Sequence, residues 1–223
     1  MKIGIIGGTG GMGKGFATRW CKENNILIGS RDADRAITSA KEYEDGAKKA
    51  YGTINGSISG HSNDDVAEQS DVLVLSIPYE NIDTICPSLF SKTREECIVI
   101  SPIVPMTKTD VGFEFIPLKE DKKFAHQMVA SHMKNPALLV SAFHVISEKK
   151  LADPNRDLDY DIFVCGDDAN AVKTVNTLIS QINGLRALYL GSSTLAYMAE
   201  MATPLLLNVM IKNKLKNPGI KIV

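Results

Sequence analysis

Short apolar runs alternate with longer stretches whose apolar residues recur at helical spacing, from one end of the chain to the other. The first run, Lys2-Ile3-Gly4-Ile5-Ile6, reads as a buried parallel strand. Further runs fall at Ile26–Gly29, near Ile54–Gly60, and at Asp71–Ser76, Cys97–Ser101, Ala137–Phe143, Ile162–Cys165 and Leu185–Leu190. The intervening spacing predicts helices after the first glycine loop, over 33–50, 63–69, 80–90 and 119–132, from Asp167-Asp168 to about Ile182, and over 194–213. The face of helix 33–50 expected to point inward carries Ala36, Ile37, Ala40, Tyr43 and Ala47. The stretches 106–117 and 147–160 read as irregular, the second as a polar surface loop. This alternation predicts an α/β fold: a Rossmann-like doubly wound, mostly parallel sheet with a small C-terminal helical segment.

The first strand runs into Gly7-Gly8-Thr9-Gly10-Gly11-Met12-Gly13, where Gly8, Gly10 and Gly13 fit the G-x-G-x-x-G fingerprint. The first glycine permits a tight turn, the second lets backbone approach a pyrophosphate, and the third lets helix and strand pack closely. The helix that follows aims its partly positive end at the phosphates. The second strand ends in Ser30-Arg31 rather than in the carboxylate that binds a free ribose 2′-hydroxyl. A guanidinium there can pair with a 2′-phosphate, and Arg35 one turn on supplies a second cation. NADP is therefore expected over NAD. Asp32 and Asp34 nearby can cap the next helix.

Composition narrows the picture. A formal charge of −1 gives no general attraction to nucleic acid or to an anionic membrane. Cys21, Cys86, Cys97 and Cys165 form no C-x-x-C pair and read as reduced thiols of a cytoplasmic protein. No secretory leader and no apolar run of membrane length are expected. The ligand cleft of such a sheet lies beyond the carboxyl ends of its strands, which places loops 7–13, 30–35, 76–79, 101–105 and 142–146 together. Residues 1–190 form the NADP-binding domain in this reading, and 191–223 a helix and tail at the cleft, at a homodimer interface, or at both.

With the glycine loop and Ser30-Arg31 stand Ile77-Pro78-Tyr79, Ser101-Pro102-Ile103-Val104-Pro105, Val140–His144 and Val164–Asp168. Leu178-Ile179-Ser180, Gly184-Leu185-Arg186, Thr203–Asn208 and Gly219-Ile220-Lys221 follow in order. Along nearly its whole length the chain resembles the archaeal F420-dependent NADP oxidoreductases. The resemblance implies reversible hydride transfer between NADP(H) and the 8-hydroxy-5-deazaflavin coenzyme F420. It implies that Thr9, Ser30, Arg31 and Arg35 hold the 2′-phosphate, and that Gly10, Gly11 and Met12 face the pyrophosphate. Ile77, Pro78, Val104 and Pro105 would line the nicotinamide side, and Ser76 would belong to the cofactor-binding set. Ala142, Phe143, His144 and Pro204–Leu207, Leu207 included, would face the deazaflavin. The chain departs from the family pattern at Ser147, across Ser192–Tyr197 and along 106–135, mostly on that deazaflavin side.

Hydride transfer between two flat rings asks for a dry, apolar slot rather than a nucleophile or a metal. His144 is the titratable side chain expected there, as a deazaflavin contact or proton donor, or as a histidine fixing the strand end. His61, His126 and His132 stand at no metal-ligand spacing. Two other functions fit the same first thirty-one residues: an NADPH-dependent reductase of an imine or ketone, and a non-catalytic NADPH-binding sensor.

Overall fold

The structure, a computed structural model, describes residues 1–120 and 123–223. Its elements in chain order are β1 (Lys2–Ile6), α1 (Gly11–Trp20), β2 (Asn25–Ser30), α2 (Ala33–Tyr51), β3 (Ser57–Ser62), α3 (Asn63–Gln69), β4 (Val72–Leu75), α4 (Ile82–Lys92) and β5 (Ile98–Ser101). Then come β6 (Met106–Lys108), β7 (Phe113–Phe115), α5 (Ile116–Glu120), α6 (Ala125–Ala130), β8 (Leu139–Ser141) and α7 (Glu148–Leu151). β9 (Tyr160–Cys165), α8 (Ala169–Ser180), β10 (Leu185–Gly191) and α9 (Ala196–Lys212) complete the chain.

Eight strands form one sheet in the order β10-β9-β8-β5-β4-β1-β2-β3. The six from β3 to β8 are parallel, and β1 lies between β2 and β4, the point where the chain reverses its direction of winding. β9 and β10 are parallel to each other and join β8 through one antiparallel pair, Ser141 with Cys165. Polar side chains start the helices where the sequence offers them. Asp32 accepts the Arg35 N–H, Ser62 the Asp65 N–H and Asp168 the Ala171 N–H. On one side of the sheet Phe16 stacks on Trp20 at 4.6 Å, and Phe143 meets both edge-on. Leu73, Leu75, Ile82 and Leu89 fill the other side.

Several expectations change. Ile37 is 54% exposed; α2 turns only Ala36, Ala40, Tyr43 and Ala47 inward, and it packs so close on β3 that a Cβ on Gly60 would collide with the backbone of Ala36. Residues 106–117 hold an antiparallel hairpin, β6–β7. Its edge is completed from outside: the Asn208 side chain of α9 accepts the Phe113 N–H and donates to the Phe113 carbonyl, each at 2.7 Å. The helix expected over 119–132 is instead α5, ending at Glu120, and a separate α6; residues 121–122 lie outside the described residues. The stretch 147–160 is pinned down rather than loose. Arg19, 4% exposed, donates to the carbonyls of Lys150, Leu151, Asp153 and Arg156. Those four main-chain acceptors hold the segment against α1.

Among the described residues one helix, Ser193–Lys212, is long and apolar enough to cross a membrane by length and composition, which the run-length reading missed. Its apolar residues have protein neighbours on several sides, since α9 packs against α6, β7 and β9. Its carboxylate, Glu200, is fully buried and accepts the N–H groups of Ala125 and His126 at the start of α6, each at 2.9 Å.

Candidate functional site

The turn after β1 is built on close approach. Gly7 has φ +69°, so the left-handed residue of the turn is Gly7, not Gly8 of the fingerprint. A Cβ on Gly13 would collide with the Gly8 carbonyl, which fixes α1 tightly on the turn. Gly10 caps α1 with no side-chain hydrogen bond and faces open space, with no atom within 4 Å of where a Cβ would stand. The first amides of α1 thus remain available to an anion.

On one side of this turn lies a cavity of about 260 Å³. Its walls bring together Thr9, Gly10, Ser30, Arg31, Arg35, Ser76, Ile77 and Pro78, and add Gly7, Asn63, Asn81 and Ile85. No Asp or Glu side chain stands in that wall. Among the described residues neither Arg31 nor Arg35 makes an ion pair. Ser30 Oγ accepts the Asp32 N–H at 3.2 Å, so the cap of α2 also orients the hydroxyl beside the two guanidiniums. Asn63 was not foreseen. It starts α3, and the pairing of Ser30 with Ser62 across β2 and β3 carries it to the cavity, where its Oδ1 is buried without a partner.

On the other side lies a larger cavity of about 440 Å³. Met12, His144 and Leu207 line it together with Pro102, Met106, Thr203, Leu206 and Met210. The wall is mostly apolar, and α9 supplies one long side of it. His144 is 6% exposed, and neither of its ring nitrogens has a partner. Its carbonyl accepts the Thr203 hydroxyl at 2.6 Å, which ties α9 to the end of β8. Burial, and secondarily His126, holds the His144 ring pKa down to about 3, so the imidazole is neutral through the physiological range. The preceding Phe143 has φ +69°, a strained conformation for a bulky residue, and its ring is held edge-on against the stacked Phe16 and Trp20. The aromatic lock therefore sets the direction in which His144 leaves the strand.

Val104, Pro105 and Ala142 do not line either cavity. Ala142 is fully buried, and its N–H donates to the Ser101 carbonyl at 3.3 Å, joining the ends of β5 and β8. Pro102 and Met106, flanking Val104-Pro105, form the wall at that point. His126 does not reach the cleft; its Nδ1 is bonded to Ser141 Oγ at 2.9 Å. Asp167 accepts the Ser193 N–H and Asp168 caps α8, so this carboxylate pair anchors backbone.

Comparison with known proteins gives the family of the chain. Residues 2–105 match the family model described as NADP oxidoreductase coenzyme F420-dependent. The chain is 36% identical, over all of its length and 98% of the relative, to the F420-dependent NADP reductase of Methanocaldococcus jannaschii. It is 32% identical to that of Methanothermobacter thermautotrophicus, over all of its length and 94% of the relative. A solved structure from Arthrobacter sp. FB24, given the working name of F420-dependent NADP reductase, superposes with a TM-score of 0.72 at 20% identity, covering 100% and 99% of the two chains. An imine reductase of Streptomyces aurantiacus shares the fold at a TM-score of 0.59 and 14% identity, with 95% of this chain covering 62% of that one.

Proposed function

The chain belongs to the F420-dependent NADP reductase family, and on that footing we propose a division of labour between its two cavities. The protein is an oxidoreductase that exchanges hydride reversibly between NADP(H) and coenzyme F420. In our reading Arg31 and Arg35, with Ser30 and Thr9, hold the adenosine 2′-phosphate. The turn at Gly10, Gly11 and Met12, open at Gly10, takes the pyrophosphate. Ser76, Ile77 and Pro78 turn the chain of the cofactor toward the larger cavity, and Val104, Pro105 and Ala142 support its wall from behind. Leu207, its neighbours on α9 and His144 face the deazaflavin. The observation that carries this reading is the pairing of an acid-free, doubly cationic cavity with an apolar one across a single glycine turn.

When both are bound, the reduced nicotinamide supplies a hydride, and the deazaflavin takes it up with one proton. The residues of the chain hold the two rings close and keep water out, which is where most of the rate arises in such a transfer. His144 is neutral, so it serves as a hydrogen-bond partner to a polar ring edge, not as a charged acid. Its unpartnered nitrogens fit that role, because a buried orphan regains its bond when a ligand arrives.

Residues 1–190 form the nucleotide-binding body in this proposal, and 191–223 complete the deazaflavin side and a homodimer interface. Met198, Leu205 and Val209 support the dimer: they lie along one stripe of α9 and stay exposed. Four unpaired, buried thiols support a cytoplasmic location. Mixing the protein with NADPH and oxidised F420 tests the whole reading through bleaching of the deazaflavin's visible band. Rapid bleaching, with a raised KM for F420 in His144→Ala, is the expected result. NADPH oxidation by imines or ketones but not by F420 would overturn it.

A further inference from the structure

Two glycines of α1 are left over by the nucleotide fingerprint. Gly11 and Gly15 stand outside Gly8, Gly10 and Gly13, and neither has a left-handed backbone. With Arg19 they recur at every fourth residue and so form one stripe of the helix. That stripe is covered by α7. A Cβ on Gly15 would collide with Leu151, and one on Gly11 would collide with the carboxylate of Glu148. Glycine weakens a helix interior, so here it marks the closeness of the second helix rather than a turn. α7 is also fixed in place. Buried Arg19 donates to the carbonyls of Lys150 and Leu151, and Ser147 caps α7 by accepting the Lys150 N–H at 3.4 Å. Glu148, the first residue of α7, is thereby laid over the start of α1.

Glu148 belongs to the wall of the 440 Å³ cavity and not to that of the cationic one. It is the one carboxylate in that wall. The end of the chain completes the same wall without an acid: Asp161 accepts the Ile222 N–H at 2.6 Å and its own N–H donates to the Ile220 carbonyl at 2.7 Å, which holds Asn217 and Pro218 at the cavity. Among the described residues Glu148 makes no ion pair. The partly positive start of α1 favours a carboxylate at this place.

We propose that Glu148 accepts hydrogen bonds from the two hydroxyls of the nicotinamide ribose. The inference rests on the cofactor path given above, with the pyrophosphate at Gly10, Gly11 and Met12 and the nicotinamide in the larger cavity. The ribose is the group joined covalently between those two, so it crosses from the glycine turn into the cavity. Glu148 stands at that crossing, against Gly11 on one side and in the cavity wall on the other. The ribose offers a vicinal pair of donors, and an ionised carboxylate is a pair of acceptors with no donor of its own. The same match lets an acid at the end of the second strand hold the adenosine ribose of NAD. In this chain the acid is missing where the ribose carries a phosphate and present where both hydroxyls are free.

Titration of NADPH and of 2′,5′-ADP against the unaltered protein, Glu148→Ala and Glu148→Gln tests the assignment. The second ligand has the phosphorylated adenosine and lacks the nicotinamide ribose. Glu148→Ala is expected to raise the Kd for NADPH about tenfold, and Glu148→Gln, which keeps one acceptor oxygen, to raise it less. Both variants should leave the Kd for 2′,5′-ADP unchanged. Unchanged NADPH affinity in both variants would overturn the inference, as would tighter binding, the result of a carboxylate that merely repels the pyrophosphate. Equal weakening of both ligands would overturn it too, by giving Glu148 a purely structural part in the turn. A raised KM for F420 with unaltered NADPH affinity would overturn it by moving the carboxylate to the ribityl hydroxyls of the deazaflavin. If the unaltered protein bound NADPH no more tightly than 2′,5′-ADP, the cofactor path itself would fail, and this inference with it.

Discussion

In the proposed site Arg31 is the residue on which cofactor choice turns. Replacing it with alanine removes charge-assisted bonds worth about 1.5–3 kcal/mol, so NADPH is expected to bind on the order of thirtyfold more weakly. NADH has no 2′-phosphate and should lose little; titration of both cofactors against Arg31→Ala checks the difference. The place of Arg31 in the cavity wall was legible because it depends only on following a glycine loop and a second strand. Asn63 and Arg19 were not. Asn63 reaches the cavity through the register of β2 with β3, and Arg19 binds carbonyls more than a hundred residues away in sequence. Neither relation leaves a local pattern, since a backbone carbonyl looks the same whatever residue bears it. Gly7 shows the converse: the fingerprint located the turn, but its left-handed position fell one residue earlier than the motif implied.

Among the elements, long amphipathic helices and apolar strands followed the sequence closely, and short pieces did not. The β6 and β7 strands span three residues each, too few to show a period, and they depend on Asn208 of α9 for their edge. Asn208→Ala leaves a donor and an acceptor of Phe113 without partners. A stability loss of about 1–3 kcal/mol is expected by denaturant titration, with a raised KM for F420 because Met106 of the hairpin lines the slot. α9 is apolar on nearly every face because each face has its own task. One buries Ala196, Ala199 and Glu200, one lines the slot with Thr203, Leu206 and Met210, and one shows Met198, Leu205 and Val209 to solvent. Putting a charge on the third, as in Leu205→Glu, is expected to give monomers by light scattering while the melting temperature of the folded chain changes little. A monomeric parent protein would contradict the dimer.

For the whole molecule, buried titratable groups set the pH range of stability. Burial raises the Glu200 carboxyl to about 8, so its contribution is present at low pH and is lost as pH rises from its ordinary value through 8. Burial lowers His144 to about 3 and His126 to about 4, so their contributions are present above about 6.5 and are lost as pH falls through those values. Opposite slopes predict a maximum in melting temperature near about pH 6.5. In Glu200→Gln the decline on the alkaline side should flatten while the acid side persists; thermal melts across the range decide it. The fold class and the residues gathered in the cavity at the glycine turn were legible because they sit in contiguous strand–turn–helix units. The larger cavity, proposed for the deazaflavin, was harder, since its walls come from the ends of β5 and β8, the hairpin, α9 and the last residues, which only the finished fold assembles.

The anchoring of Ile220 and Ile222 beside Asp161 has a practical corollary. Any peptide fused after Val223 emerges a few residues from Asn217 and Pro218, at the doorway to the slot. An affinity handle at that end would start beside the cavity wall formed by Asn217 and Pro218, whereas one ahead of Met1 would start from an exposed residue bonded to Asn25 at the opposite ends of β1 and β2.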